Sequence, residues 1–441
     1  MLTIQRESVV PSSLLQRISD ARRQSDALFE IVQPEALFDR PIPERHRIIF
    51  YVGHLEAFDW NLLHDQVLGV KSFHPEFDRL FAFGIDPVGG GLPVDQPSDW
   101  PSVGLVREYV QRIRAALDEK LTGDTATGAY GRDGFSLDTL LNVAIEHRLM
   151  HLETLAYMLH QLPFERKRQS ASQSFEGAAV TPAMVKVPAG PINFGLSRES
   201  GAFGWDNEFE AHIADVPAFE IDRYMVTNGQ FREFVEDGGY ERRDLWSEAD
   251  WEWKTAGRIS SPVFWRKQKG AWLCRTMFKE IALPLDWPVY VSHAEASAFA
   301  RWARKSLPTE EQWQRAAYGS GPAQRFYPWG NQAPTPAHGN FNFQSWDPMP
   351  VNAHPESQSA FGVEGMLGNG WEWTSTVFSP FAGFKPFPFY RGYSADFFDG
   401  KHFVMKGGSA RTAACMLRPT FRNWFQSHYQ YVYAGFRCVN E

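Results

Sequence analysis

Apolar residues recur at helical spacing through the first third of the chain. Between Ser12 and Ile31, Leu14, Leu15, Ile18, Ala21, Leu28 and Ile31 fall near one helical face, and serine stands where an N-cap belongs. His46 to Val67 carries a second long periodic stretch. Val103 to Leu121 carries a third, with Val106, Tyr109, Val110, Ile113 and Leu117 in step, and Phe135 to Leu162 a fourth and most regular one. Four long helices with polar connections predict an antiparallel bundle over residues 1–165. The connection from about Val70 to Pro101 is rich in Gly, Pro and Asp and reads as a long functional loop.

The pattern changes after Glu165. Glu165 to Thr181 is polar and rich in small residues, and we read 166–182 as a linker. Residues 183–441 show short β-like runs, Gly/Pro turns and dense aromatics, with two or three short helices. Two of these are announced by capping boxes: Ser292 with Glu295, and Thr309 with Gln312. The fold class expected is α+β in two domains, a helical bundle followed by a loop-rich α+β domain.

Composition narrows the function classes. The chain has 441 residues with 44 basic against 52 acidic side chains, a net charge of -8, and no basic run, so nucleic-acid binding has little electrostatic support. No apolar stretch approaches the roughly 20 residues of a membrane span. The N-terminus lacks the apolar core of a signal peptide. Three scattered cysteines, Cys274, Cys415 and Cys438, do not make a disulfide framework, and a reduced cytoplasm is the expected compartment.

The chemistry concentrates on the fourth helix. Leu140, Ala144, His147, His151, Leu155 and Met158 step by three and four and form one core-facing stripe. His147 and His151 are therefore neighbours, with Cβ atoms roughly 5–6 Å apart. A single core histidine is ordinarily a satisfied packing residue. Two on one stripe waste polar groups unless they share a partner. His54, after Gly53 in the second stretch, is the best candidate for a third ligand. Three imidazoles suit iron, zinc or copper. Glu153 points to nearly the opposite side of the helix and is left out of the metal set.

With its upstream Gly-His, this H-x3-H-x-E helix resembles the DinB-like domain of the ergothioneine-type sulfoxide synthases. The second half resembles the formylglycine-generating-enzyme-like (sulfatase-modifying factor) domain, a fold related to C-type lectins. The matching pieces are MVKVPAGPINFG, VSHAEASAFARWARKSLPTEEQWQRAAYG, YPWGN (Tyr327 to Asn331), GMLGNGWEWTST (Gly365 to Thr376), KGGSA (Lys406 to Ala410), RPTFRNWF (Arg418 to Phe425) and AGFRC (Ala434 to Cys438). Together they cover nearly the whole chain. The resemblance implies an oxidoreductase that holds a non-haem Fe(II) through His54, His147 and His151. With O2 as co-substrate it joins sulfur or selenium to the imidazole of hercynine (trimethylhistidine). Three neutral ligands leave positions for both reactants on one ion.

For hercynine, the resemblance points to Asn423 and Trp424. A quaternary ammonium wants an aromatic surface, which Trp424, Phe421 and Phe425 can supply. Tyr390 and Tyr393 are candidates for the family's proton-donating tyrosine. The chalcogen donor is the point of departure. Family members using γ-glutamylcysteine grip it with arginines, and a related cysteine-using type carries paired tyrosines after the first histidine. Leu80 to Val106 here has no Lys, Arg or Tyr. Phe425 stands where an acidic residue grips a donor amine. A neutral sugar-borne chalcogen fits better, with Asp86, Asp95 and Asp99 available to hydroxyls, and this favours the selenoneine synthase branch and its selenosugar. Arginines later in the chain, Arg391, Arg418 or Arg422, are the route by which an anionic donor is still accommodated, which would place the enzyme in the ordinary ergothioneine branch. The rival readings are a formylglycine-generating enzyme with a reactive cysteine pair, a DinB-like thiol transferase, and a non-catalytic lectin-like binder.

Overall fold

A computed structural model describes residues 13–64, 67–84, 92–122, 131–168, 180–319 and 325–440. The chain divides into two compact units. One comprises Met1–Leu155 and Gln161–Arg168, the other Ala156–His160 and Gln169–Glu441.

The first unit is helical: α1 (Leu14–Glu30), α2 (Ile48–Leu63), α3 (Pro75–Phe83), α4 (Val103–Leu121) and α5 (Leu137–Gln161). The four expected helices are present, and Ser13 caps α1 by accepting from the Gln16 N–H at 3.2 Å. The stretch read as a long loop holds α3, a correction to the sequence reading. Pro75 opens it, the His74 ring accepts from the Phe77 N–H at 3.3 Å, and Phe81 is fully buried. Its nine residues, flanked by Gly and Pro, are too few for the period to stand out. Nearly all of α2 is buried, whereas α1 and α4 show one buried stripe each. Arg166–Arg168, placed in the linker on sequence, are instead tied back to the end of α1. Gln33 N–H donates to the Arg166 carbonyl (2.9 Å), Arg168 N–H to the Ile31 carbonyl (2.7 Å), and Lys167 bridges Val32. Residues 169–179 of the linker reading lie outside the described residues.

The second unit is built on a four-stranded sheet in the order β10-β9-β8-β11, with β8 (Gly370–Val377), β9 (His402–Gly408), β10 (Asn423–Gln426) and β11 (Ala434–Gly435). Three smaller sheets accompany it: β1 (Met184–Val187), β4 (Phe219–Asp222) and β12 (Val439–Asn440) in the order β1-β4-β12; β2 (Gly190–Phe194) with β3 (His212–Val216); and β5 (Trp265–Gln268), β6 (Ala271–Arg275) and β7 (Glu280–Ala282) in the order β5-β6-β7. Four helices appear among the described residues, α6 (Asn228–Glu236), α7 (Glu248–Ala256), α8 (His293–Trp302) and α9 (Glu310–Tyr318). Both expected capping boxes are formed at α8 and α9. A third, Thr227 with Gln230, opens α6 and is absent from the sequence reading.

The dispersed motifs meet through buried ion pairs. Arg437 donates to both oxygens of Glu372 (2.6 and 2.7 Å), and the Trp313 indole donates to the same carboxylate at 2.9 Å. Arg422 forks onto Glu310 at 2.9 Å through both nitrogens. Arg418 pairs with Glu208. Gly407, at φ 99°, brings the KGGSA strand against Met366, where a Cβ would meet a backbone carbonyl at 2.9 Å. An irregular sheet is thus held by fork-shaped Arg–carboxylate contacts as well as by aromatic packing.

Candidate metal centre

The first unit brings three of the sequence candidates together. His54 of α2 and His147 and His151 of α5 present ligand atoms that all lie within 4.8 Å of one another. His151 Nε2 is 3.1 Å from His54 Nε2 and 3.1 Å from His147 Nε2. His54 Nδ1 faces the Phe81 carbonyl at 2.6 Å. A carbonyl only accepts, so the His54 proton sits on Nδ1 and its Nε2 lone pair points at the other two rings. Phe50 stacks on His54 (centroids 4.7 Å apart) and Phe58 on His147 (3.4 Å), which fixes the ring planes.

All three imidazoles are held neutral. Burial lowers His54 from the ordinary 6.5 to about 4, although the Phe81 carbonyl works the other way. Burial also pushes His147 and His151 well below 6.5, reinforced for His147 by His151 and for His151 by His54 and then Arg45. Neutral imidazole is the form that ligates a metal. A donor set of three converging nitrogens, buried and uncharged, fits a divalent transition metal.

Beneath the triad lies a network that sequence reading missed. Arg148, next to His147, donates to both Glu56 oxygens (2.9 and 2.8 Å), to Asp59 at 2.6 Å and to the Leu55 carbonyl at 3.1 Å. Arg114 of α4 reaches Glu56 at 2.7 Å and Asp26 of α1 at 2.7 and 2.8 Å. Burial acts to raise Glu56, but Arg148, Arg114 and Arg22 outweigh it and hold the carboxyl at about 2. Four helices are therefore clamped one turn from the ligands. The sequence signal was present: Glu56 and Asp59 are the acidic residues of a mostly apolar α2.

Glu153 is buried and lies outside the triad. Two acidic candidates for donor binding are committed elsewhere, a correction. Asp95 is fully enclosed by Arg40, Arg47 (2.9 Å) and the Trp100 indole (2.7 Å), so it holds its own segment. Asp99 accepts from the Gln96 N–H at 2.7 Å and caps its own turn. Asp86 lies outside the described residues.

The second unit groups the other candidates. Asn423, Trp424 and Phe425 form most of β10, paired with Met405, Val404 and Phe403. Trp424 stacks on Phe378 (4.2 Å, 6°) with Tyr393 edge-on at 5.3 Å. Tyr393 in turn stacks on Trp205 at 3.9 Å. Burial and then Asp206 push the Tyr390 phenol up to about 12. Phe425 stacks on Tyr429 at 4.9 Å, while Phe421 is buried against Trp371. Arg422 and Arg418 are engaged by Glu310 and Glu208, so neither is the free cation that an anionic donor would want.

A sulfatase-modifying factor enzyme 1-like domain matches residues 170–441, and a DinB superfamily domain matches residues 17–155. The two matches and their order define a two-domain protein, a DinB-like helical unit followed by a sulfatase-modifying-factor-like unit. The chain is 38% identical over 380 residues to the hercynine oxygenase of Mycolicibacterium thermoresistibile, covering 83% of this chain and 80% of that protein. It is 38% identical over 354 residues to the hercynine oxygenase of Mycobacterium tuberculosis, covering 77% and 78%. Ergothioneine biosynthesis protein 1 of Neurospora crassa is 27% identical over 495 residues, covering 93% of this chain and 56% of that protein. The chain belongs to the hercynine oxygenase family.

Proposed function

We propose that this enzyme forms a carbon–selenium or carbon–sulfur bond on the imidazole of hercynine, using O2 and a non-haem Fe(II) held by His54, His147 and His151. The observation that carries the reading is the convergence of three neutral imidazoles at 3.1 Å spacings in a chain 38% identical to hercynine oxygenases over most of its length. Iron(II) at such a site supplies O2 activation and a common anchor for the reactants. The protein's own part is to hold the ligand rings neutral and oriented, and to bind hercynine through Asn423 and Trp424. A phenol, Tyr390 or Tyr393, supplies a proton. The substrates of this reading are small molecules, the net charge of -8 gives a nucleic acid little attraction, no helix among the described residues is long and apolar enough to span a bilayer, and a cytoplasmic setting suits the free thiols.

For the donor we favour a neutral selenosugar. Leu80 to Val106 carries no basic side chain, and Phe425 offers an aromatic face stacked on Tyr429 rather than a charge. The second reading is a sulfoxide synthase using γ-glutamylcysteine or cysteine. It is favoured by the relatives' names and by Arg45, whose charge reaches His151. The formylglycine-generating alternative is weakened by the cysteines: burial pushes Cys274 up to about 12 and Cys438 well above its ordinary value, so neither is poised as a thiolate. A thiol transferase leaves the second unit without a role, and a lectin-like binder leaves the triad without one.

Hercynine incubated under air with a selenosugar, γ-glutamylcysteine and cysteine at equal concentration tests this by product mass spectrometry. The selenosugar is expected to give the highest kcat/KM. A higher value for either thiol overturns the donor assignment, and no hercynine-derived product from any donor overturns the activity.

A further inference from the structure

Glycine inside a helix needs a reason, because it gives up more chain entropy on ordering than any other residue. Gly53 sits in the interior of α2, immediately before His54. A Cβ built there would lie 2.4 Å from Cδ1 and 2.5 Å from Cγ and Cε1 of Phe81, far inside van der Waals contact with the ring. The Phe81 ring therefore occupies the volume that any side chain at position 53 would take, and α3 lies against α2 at this point.

The same residue closes the contact through its backbone. Phe81 stands in the last turn of α3, where carbonyls have no partner within the helix. The Gly84 N–H closes that turn on Leu80 (2.7 Å), and the Phe81 carbonyl receives His54 Nδ1–H at 2.6 Å. One hydrogen bond thus caps α3 and fixes which nitrogen of His54 carries the proton.

We propose that Gly53 and Phe81 form a positioning lock: the missing side chain at 53 lets α3 seat its terminal carbonyl on His54 Nδ1, which commits His54 Nε2 to the metal. This inference rests on the metal reading above and assigns to Gly53 and Phe81 a role distinct from ligation. The ring and the carbonyl of Phe81 separate cleanly by mutation, since side-chain truncation leaves the carbonyl in place. Loss of an outer-shell partner of a ligating histidine typically lowers metal affinity 10–100-fold.

The test compares wild type, Gly53→Ala, Phe81→Ala and the double variant. Affinity for Fe(II) is measured anaerobically, and the His54 tautomer is read in metal-free protein by 15N NMR. Gly53→Ala is expected to lose the Nδ1–H tautomer and bind at least tenfold more weakly. Phe81→Ala is expected to keep the tautomer and stay within about threefold of wild type. The double variant, with the ring gone, is expected to regain both. Wild-type affinity in Gly53→Ala, or no recovery in the double variant, overturns the lock. If Gly53→Ala does not fold, the wild-type tautomer decides: an Nε2–H His54 overturns the lock. A wild-type protein that takes up no Fe(II) while keeping the Nδ1–H tautomer overturns the metal reading and leaves the lock in place as a structural contact.

Discussion

The two units treat buried polar groups in opposite ways. In the second unit three arginines of the motif set each meet one carboxylate: Arg437 with Glu372, Arg422 with Glu310, Arg418 with Glu208. Charges cancel locally, and the product is a rigid frame. The bundle has such a frame too, in Arg148 with Glu56 and Asp59. One turn away, though, it aims three neutral imidazoles at a common point. A fold that only needed stability would pair those nitrogens off as the second unit pairs its charges. The difference separates a scaffold from a site: groups that satisfy one another hold structure, and groups that converge await a ligand.

The comparison breaks most visibly at Arg148. Arg148→Met strands Asp59 and takes one of the arginine partners from Glu56, both carboxylates being nearly fully buried, and is expected to cost about 3–5 kcal/mol in denaturant unfolding. Arg437→Met, which strands the equally buried Glu372, is expected to cost as much. A loss under about 1 kcal/mol at either position would show that the frame is looser than its geometry.

Acid sharpens the contrast next. Below the ordinary histidine value of 6.5 the unfolded chain takes up protons at His54, His147 and His151. The native bundle resists, His54 until about 4 and the other two held well below 6.5. Depressed native values mean stability that is present at neutral pH and lost as pH falls through that window. Metal-free protein is expected to lose about 1 kcal/mol per histidine between pH 7 and 5.5, read by denaturant midpoints. The triple His→Phe variant is expected to lose that dependence. A dependence left unchanged in it would assign the effect elsewhere, for example to His293 of the second unit, which burial also lowers to about 4.

A smaller effect belongs to the second unit's aromatic cluster. A desolvated cation–π contact contributes about 2 kcal/mol, so Trp424→Ala is expected to weaken hercynine binding roughly thirtyfold by calorimetric titration. Trp424→Phe, which keeps a ring against Phe378, should recover part of it. Unchanged affinity in Trp424→Ala would move the ammonium to another surface.

What was legible in the sequence was what periodicity and spacing encode. The i,i+4 pair His147 and His151 fell on one stripe because α5 is long and regular, and capping boxes marked α8 and α9 because the cap is local. What escaped was tertiary. Helix α3 is too short to show a period, and a backbone carbonyl such as that of Phe81 leaves no trace in residue identity. Asp95 read as an available acid because nothing in the sequence reveals that Arg40 and Arg47, some fifty positions earlier, fold onto it. Charged side chains are the hardest to place from sequence, since the partner that decides their role is chosen by the fold.

The central claim is that the bundle's three histidines hold a catalytic iron. Its most direct test is the iron content of anaerobically reconstituted wild type, His147→Ala and His151→Ala. One Fe(II) per wild-type chain, with iron lost from both variants, is the predicted result. Full iron in both variants would contradict it.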